Sequence, residues 1–299
     1  MPGWRAAWAI DMPDPRTNLR TWTLASTLLT VLATFGAPQA AATDLTGGIT
    51  NVAPTITSVT LSSSSLTPTA GTTTSLTVTV VAADLNGFAD IGSGVTNAVT
   101  VGILKPDGST VHVAQSAATF SSGSGVSATY TKTLTMNYYD AAALTTSTYK
   151  VKVVVTDSQG SSVSNIASLA TFNYAQLAAL NAPASVDSGS AAPGGTSAIA
   201  PMAIGNYGNV QIDVQVSGTT PTNGAYTIPI GDVAYSLNSD MSSSSALSGS
   251  TATLNSFDLA SGAGASKTMY WQMTMPSGSS QYVPAGTYTS TLTVTAVAG

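Results

Sequence analysis

The sequence predicts an all-β protein, and three observations carry that prediction: alternating apolar segments, an absence of glutamate, and a surface supplied by hydroxyls. Apolar residues recur at every second position in one segment after another beyond residue 54, the period of strands with one face in a core and one in water. All 13 acids are Asp; Glu is a helix former, whereas Thr, Val and Tyr suit a pleated surface. Ser and Thr together number 86 while only 7% of the 299 residues are charged, so solubility rests on neutral side chains. The architecture this predicts is two tandem antiparallel β-sandwiches behind a cleaved N-terminal signal peptide.

The elements follow in chain order. From Met12, Arg16 and Arg20 precede an apolar run over residues 21–35 and then the small residues Ala40, Ala41 and Ala42. This is the basic, apolar, small-residue order of a secretory signal, and the run is short for a bilayer span. Cleavage is expected after Ala42, making residues 1–42 the signal peptide, of which residues 1–11 read as an over-long start. The competing reading is an uncleaved N-terminal anchor. After cleavage, Trp271 is the only Trp of the mature chain, which retains no membrane span. Residues 43–54, "TDLTGGITNVAP", are expected to form a free extended arm with Leu45, Ile49 and Val52 as its apolar anchors.

Four later segments show the strand period most clearly. "LTVTVVA" sets Leu76, Val78, Val80 and Ala82 on one face, and "YKVKVVVT" sets Tyr149, Val151, Val153 and Val155 opposite Lys150 and Lys152. "VQIDVQVS" alternates Val210, Ile212, Val214 and Val216 with Gln211, Asp213 and Gln215, and "TYTSTLTVTAVAG" does the same with Tyr288, Leu292, Val294 and Ala296. Turn formers separate them, among them "NG" at Asn86, "PDGS" at Pro106, "DSQG" at Asp157, "APGGTS" at Ala192 and "VPAG" at Val283. The alternation lapses over residues 176–185, so one sandwich is expected over residues 55–177 and a second over residues 178–299.

"APTITSVTLS", "DLNGFADI" and "STYKVKVVVTDSQG" together resemble the immunoglobulin-like and PKD-like modules of bacterial and archaeal surface proteins. The second half, with "NYGNVQIDVQVSG" and "PAGTYTSTLTVTA", is similar to other immunoglobulin-like modules of secreted proteins. The resemblance implies the sandwich fold and an extracellular or cell-surface location. It implies little about function, because such modules serve as spacers, adhesin stalks and filament subunits.

Composition narrows the chemistry. A net charge of −5 with scattered Lys offers no basic patch for nucleic acid. Without Cys there are no disulfides, no thiolate nucleophile and no Cys-bound zinc. One His is present, His112, flanked by Val111 and Val113 on the opposite strand face, so its side chain is expected to face solvent rather than serve a Ser/His/Asp triad. No catalytic residue and no cofactor is assigned, and the chain is expected not to be an enzyme. An enzyme working through unrecognised Asp pairs is the third reading.

Asp84, Asn86 and Asp90 in "AADLNGFADIGS" carry the one candidate metal loop. With the carbonyl of Phe88 they supply part of a calcium shell, but the EF-hand acid twelve places on from Asp84 is replaced by Val95, so a remote Asp, such as Asp140 or Asp157, has to complete it. The alternative is a plain turn at Asn86-Gly87, with Asp84 bonding its own backbone and Asp90 starting the next strand. On balance no metal site is assigned. Lys132 shares its strand face with Tyr130, Leu134 and Met136, and Lys267 precedes Met269 and Trp271; each is either a lysine reaching solvent or one half of a Lys–Asn/Asp amide cross-link. Tyr138, Tyr139 and Tyr270 either fill half-buried sheet positions or line a sugar-binding face.

The function expected from all this is an extracellular structural protein, a subunit of a cell-surface filament, pilus-like fibre or surface layer joined by β-strand addition. The alternative is a non-catalytic adhesive or carbohydrate-binding module. The expected partners are further copies or other envelope proteins meeting at sheet edges, with glycans as the second class. With no LPxTG motif and no C-terminal apolar span, the protein is expected to diffuse away, bind the envelope or polymerise.

Overall fold

The computed structural model describes residues 46–92, 94–277 and 282–299. The expected signal peptide, residues 1–42, and the first residues of the expected arm lie outside them. The residues through Thr50 fall in a unit of their own, of which residues 46–50 are exposed and belong to no strand; Asn51–Gly299 is a second compact unit.

That second unit is all-β, with two single 3-10 turns as the only helical elements among the described residues. Its first half runs β1 (Thr55–Leu61), β2 (Ser65–Leu66), β3 (Thr73–Ala83), β4 (Val99–Leu104), β5 (Val111–Ala117), β6 (Thr119–Ser124), β7 (Ser127–Asn137), β8 (Tyr149–Thr156), β9 (Ser162–Ser164) and β10 (Ala170–Tyr174). One sheet has the order β1-β3-β7-β6; the other has β2-β10-β8-β4-β5, with β9 beside β8. All pairings are antiparallel except β2 with β10. Leu76, Val78, Val80 and Ala82 from one sheet and Val101, Ile103, Val151, Val153 and Val155 from the other are all 0% exposed in one apolar cluster. The two sheets are therefore layers around a shared core, as the alternation of β3 and β8 requires.

The second half runs β11 (Leu180–Asn181), β12 (Ala200–Asn206), β13 (Ile212–Gly218), β14 (Thr222–Asn223), β15 (Tyr226–Thr227), β16 (Val233–Ser236), β17 (Ser245–Ala246), β18 (Ala252–Leu259), β19 (Ser266–Met273) and β20 (Leu292–Ala298). Its larger sheet has the order β11-β12-β19-β16-β17 and its smaller one β18-β13-β20, with β14 and β15 as a separate hairpin. A distinct apolar cluster, including Ile204, Ile212, Val214, Phe257, Met269 and Trp271, joins the two sheets. The last strand begins at Leu292 rather than at Tyr288, where the alternation begins.

The halves meet through named groups. Asn209 accepts the Leu177 amide at 2.7 Å and donates to the Ala175 carbonyl at 2.8 Å, and the Tyr207 ring packs 5.5 Å from that of Tyr138.

Two sequence expectations change. His112 faces inward: its side chain is 15% exposed, while Val111 is 59% exposed. Strand β5 is bulged at this point, since Val111 pairs with Leu104 and Val113 with Ile103, leaving His112 as the extra residue. A bulge re-aims a side chain, which strict alternation does not foresee. The arm is not wholly free either, because Asn51 and Val52 make hydrogen bonds and Pro54 is buried.

Candidate functional site

Three carboxylates converge at one end of the first half. Asp84 follows β3, Asp90 sits in the 3-10 turn Phe88–Ile91, and Asp157 follows β8. One oxygen from each lies within 4.8 Å of the others. Asp84 is 1% exposed and Asp157 2%.

Local geometry explains the convergence. Gly87 adopts φ 111° and Gly160 φ 91°, conformations open to glycine, and each turns the chain beside one of the acids. Asp84 accepts the Asn86 amide through Oδ1 at 2.8 Å. Asp157 accepts the amides of Gln159 and Ser161 through Oδ1, and the Asn51 side chain donates to its Oδ2 at 2.8 Å. Burial disfavours the charged form of Asp157, but the bonds from Asn51 and from the Ser161, Gln159 and Gly160 amides outweigh it and hold this carboxyl below the usual range. Asp90 is bound by the Ser158 hydroxyl, and its carbonyl accepts the Ser158 amide, which fixes the 3-10 turn against the loop after β8.

The expected trio is thus rearranged. Asp90 does not start a strand; β4 begins at Val99. Asn86 directs its Oδ1 to the Val52 amide at 2.7 Å and so anchors the arm. Of the two remote acids, Asp157 joins the cluster and Asp140 does not. Asp140 instead meets His112, Oδ2 to Nε2 at 3.1 Å, and takes the Asn137 amide at 2.6 Å. Burial pushes the Asp140 carboxyl up, and the bonds from His112 and Asn137 overcome it and lower it. The Tyr149 ring lies 5.1 Å from that of His112, and burial raises the Tyr149 hydroxyl to about 12.

The lysines bond main-chain oxygens. Lys132 Nζ donates to the Ala117 carbonyl at 3.0 Å; Lys267 Nζ donates to Ser256 and Phe257 and lies 5.4 Å from the centre of the Phe257 ring. Among the described residues neither forms an ion pair with a carboxylate, the partner that promotes an amide cross-link.

The second half carries a cleft of about 1070 Å³. Its floor is core side chains from both sheets, Met202, Val233, Trp271, Met273, Leu292 and Val294, and its walls come from residues 182–193 and 283–291. Trp271 is 3% exposed and its Nε1–H has no hydrogen-bond partner among the described residues. The cleft lies along β20, an edge of the three-stranded sheet. Nothing in the sequence pattern marks it, since its floor residues read as ordinary core. Nearby, Tyr226 and Tyr282 are 43% and 71% exposed with ring centres 5.7 Å apart.

Among the described residues no helix is long and apolar enough to cross a membrane. No family model and no curated protein sequence matches the chain. Among solved structures, dimeric latent PorU from Porphyromonas gingivalis is similar over 82% of this chain and 19% of its own, at 16% identity and a TM-score of 0.29. The chain thus spans about a fifth of that protein's length.

Proposed function

We propose that the chain is an extracellular structural protein of immunoglobulin-like modules that assembles with further copies by strand addition. The observation that carries this reading is the cleft beside β20. A three-stranded sheet facing a five-stranded one leaves Leu292 and Val294 only partly buried along its edge, and an added strand would supply both main-chain hydrogen bonds and an apolar face. The occupant is the arm of a second copy. Ile49 is 93% exposed and residues 46–50 belong to no strand, whereas Asn51 and Pro54 hold the following segment in its own chain.

The test is size exclusion and electron microscopy of the chain from residue 43, with and without residues 43–50. Assemblies that vanish on deletion support strand addition; monomers in both contradict it.

A second reading, glycan binding, is favoured by the exposed Tyr226–Tyr282 pair, since aromatic faces stack on sugars. Glycan arrays with the native chain and Tyr282→Ala separate the two: binding lost with the ring, in a monomeric protein, selects the glycan reading.

A further inference from the structure

We propose that Asp84, Asp90 and Asp157 form a calcium site that ties the β3–β4 and β8–β9 loops together at one end of the first sandwich. The convergence of three carboxylate oxygens within 4.8 Å is the first support. The second concerns Asp84 alone. It is 1% exposed, its Oδ1 takes the Asn86 amide, and its Oδ2 is buried with no hydrogen-bond partner. An anionic oxygen without a donor is costly to bury, and two further carboxylates beside it increase that cost. Among the described residues no Lys, Arg or His is paired with any of the three. A divalent cation supplies the missing partner and offsets the repulsion together.

The donor chemistry narrows the ion. An all-oxygen set suits calcium or magnesium and not zinc. Calcium bonds its oxygens at about 2.3–2.6 Å, so ligands on opposite sides stand about 4.6–5.2 Å apart; magnesium needs about 4.0–4.2 Å and rigid octahedral geometry. Three acids drawn from two loops fit the larger, more tolerant ion. They leave at least three positions to water or carbonyls, so the expected Kd is about 10⁻⁴–10⁻³ M, the range of extracellular modules.

The consequence is mechanical. Asp84 continues from β3 of one sheet and Asp157 from β8 of the other, so the ion would bridge the two layers. Asn51 on Asp157 and Val52 on Asn86 place the start of the compact unit directly beside it.

Isothermal titration with calcium and with magnesium, alongside thermal unfolding, tests the site on the native chain, Asp84→Asn and Asp90→Asn. Asp90 is only half buried, so its variant keeps the fold if the more buried one does not. The expected result is one calcium per chain, a Tm higher by several degrees at about 10 mM calcium, and a smaller response to magnesium. Binding at least tenfold weaker and a lost Tm response are expected in the folded variants. Neither heat nor Tm change in the native chain would overturn the proposal, as would a calcium response that survives in Asp90→Asn.

Discussion

The two halves of the molecule use one sequence pattern to reach different ends. In the first, a four-stranded sheet faces a five-stranded path, and Leu76, Val80, Val101 and Val153 are fully buried between them. In the second, three strands face five, and Leu292, Val294 and Ala296 of β20 are only partly buried beside an open cleft. Alternation builds a sheet face but does not say how many strands will cover it. The first half reads as a closed core and the second as one only partly covered along β20, and five substitutions sharpen or break that contrast.

The largest effect is expected in the closed core. Phe172→Ala removes a 1% exposed ring and should cost about 3–5 kcal/mol, while Val294→Ala at the cleft should cost about 1 kcal/mol or less, both read from chemical denaturation. Equal costs would remove the contrast. Next comes the junction: Asn209→Ala strips partners from Leu177 and Ala175 and should cost about 2 kcal/mol. If the junction couples the halves, calorimetry should show the transition separating into two in this variant; an unchanged profile would mean the halves already unfold independently.

A smaller effect is expected at the carboxylate cluster, where Gly87→Ala forces φ 111° on a side chain and should lower stability by about 1 kcal/mol. The smallest is pH dependence. Asp140 is lowered in the folded state, so its contribution is present above the unfolded pKa near 3.9 and is lost as pH falls through the lower folded value. Native Tm should therefore drop more steeply below about pH 4 than that of Asp140→Asn. Parallel curves would show that the His112 pair carries no such linkage.

Much of the sheet structure was legible in the sequence because its signal is local. The faces of β3, β8 and β13 follow directly from residue parity, and "LNG" and "DSQG" mark turns through glycines that do adopt positive φ. What was not legible depends on contacts between distant segments. Asp157 reaches Asp84 because two loops meet, not because of any spacing. His112 turns inward through one bulge, and Asn86 leaves the acid cluster because Val52 arrives from the arm. The cleft escaped for a related reason: Leu292 and Val294 look like core residues, and only the strand count shows that part of their cover is missing.

Amide hydrogen exchange along β20 tests the central claim most directly, comparing the chain from residue 43 at dilute and at assembling concentrations. Strand addition predicts that alternate amides of Leu292–Ala298, those facing away from β13, become protected on assembly and return to fast exchange when residues 43–50 are removed. Assembly with unchanged exchange along β20 would contradict the account, because copies would then be joined through some other surface.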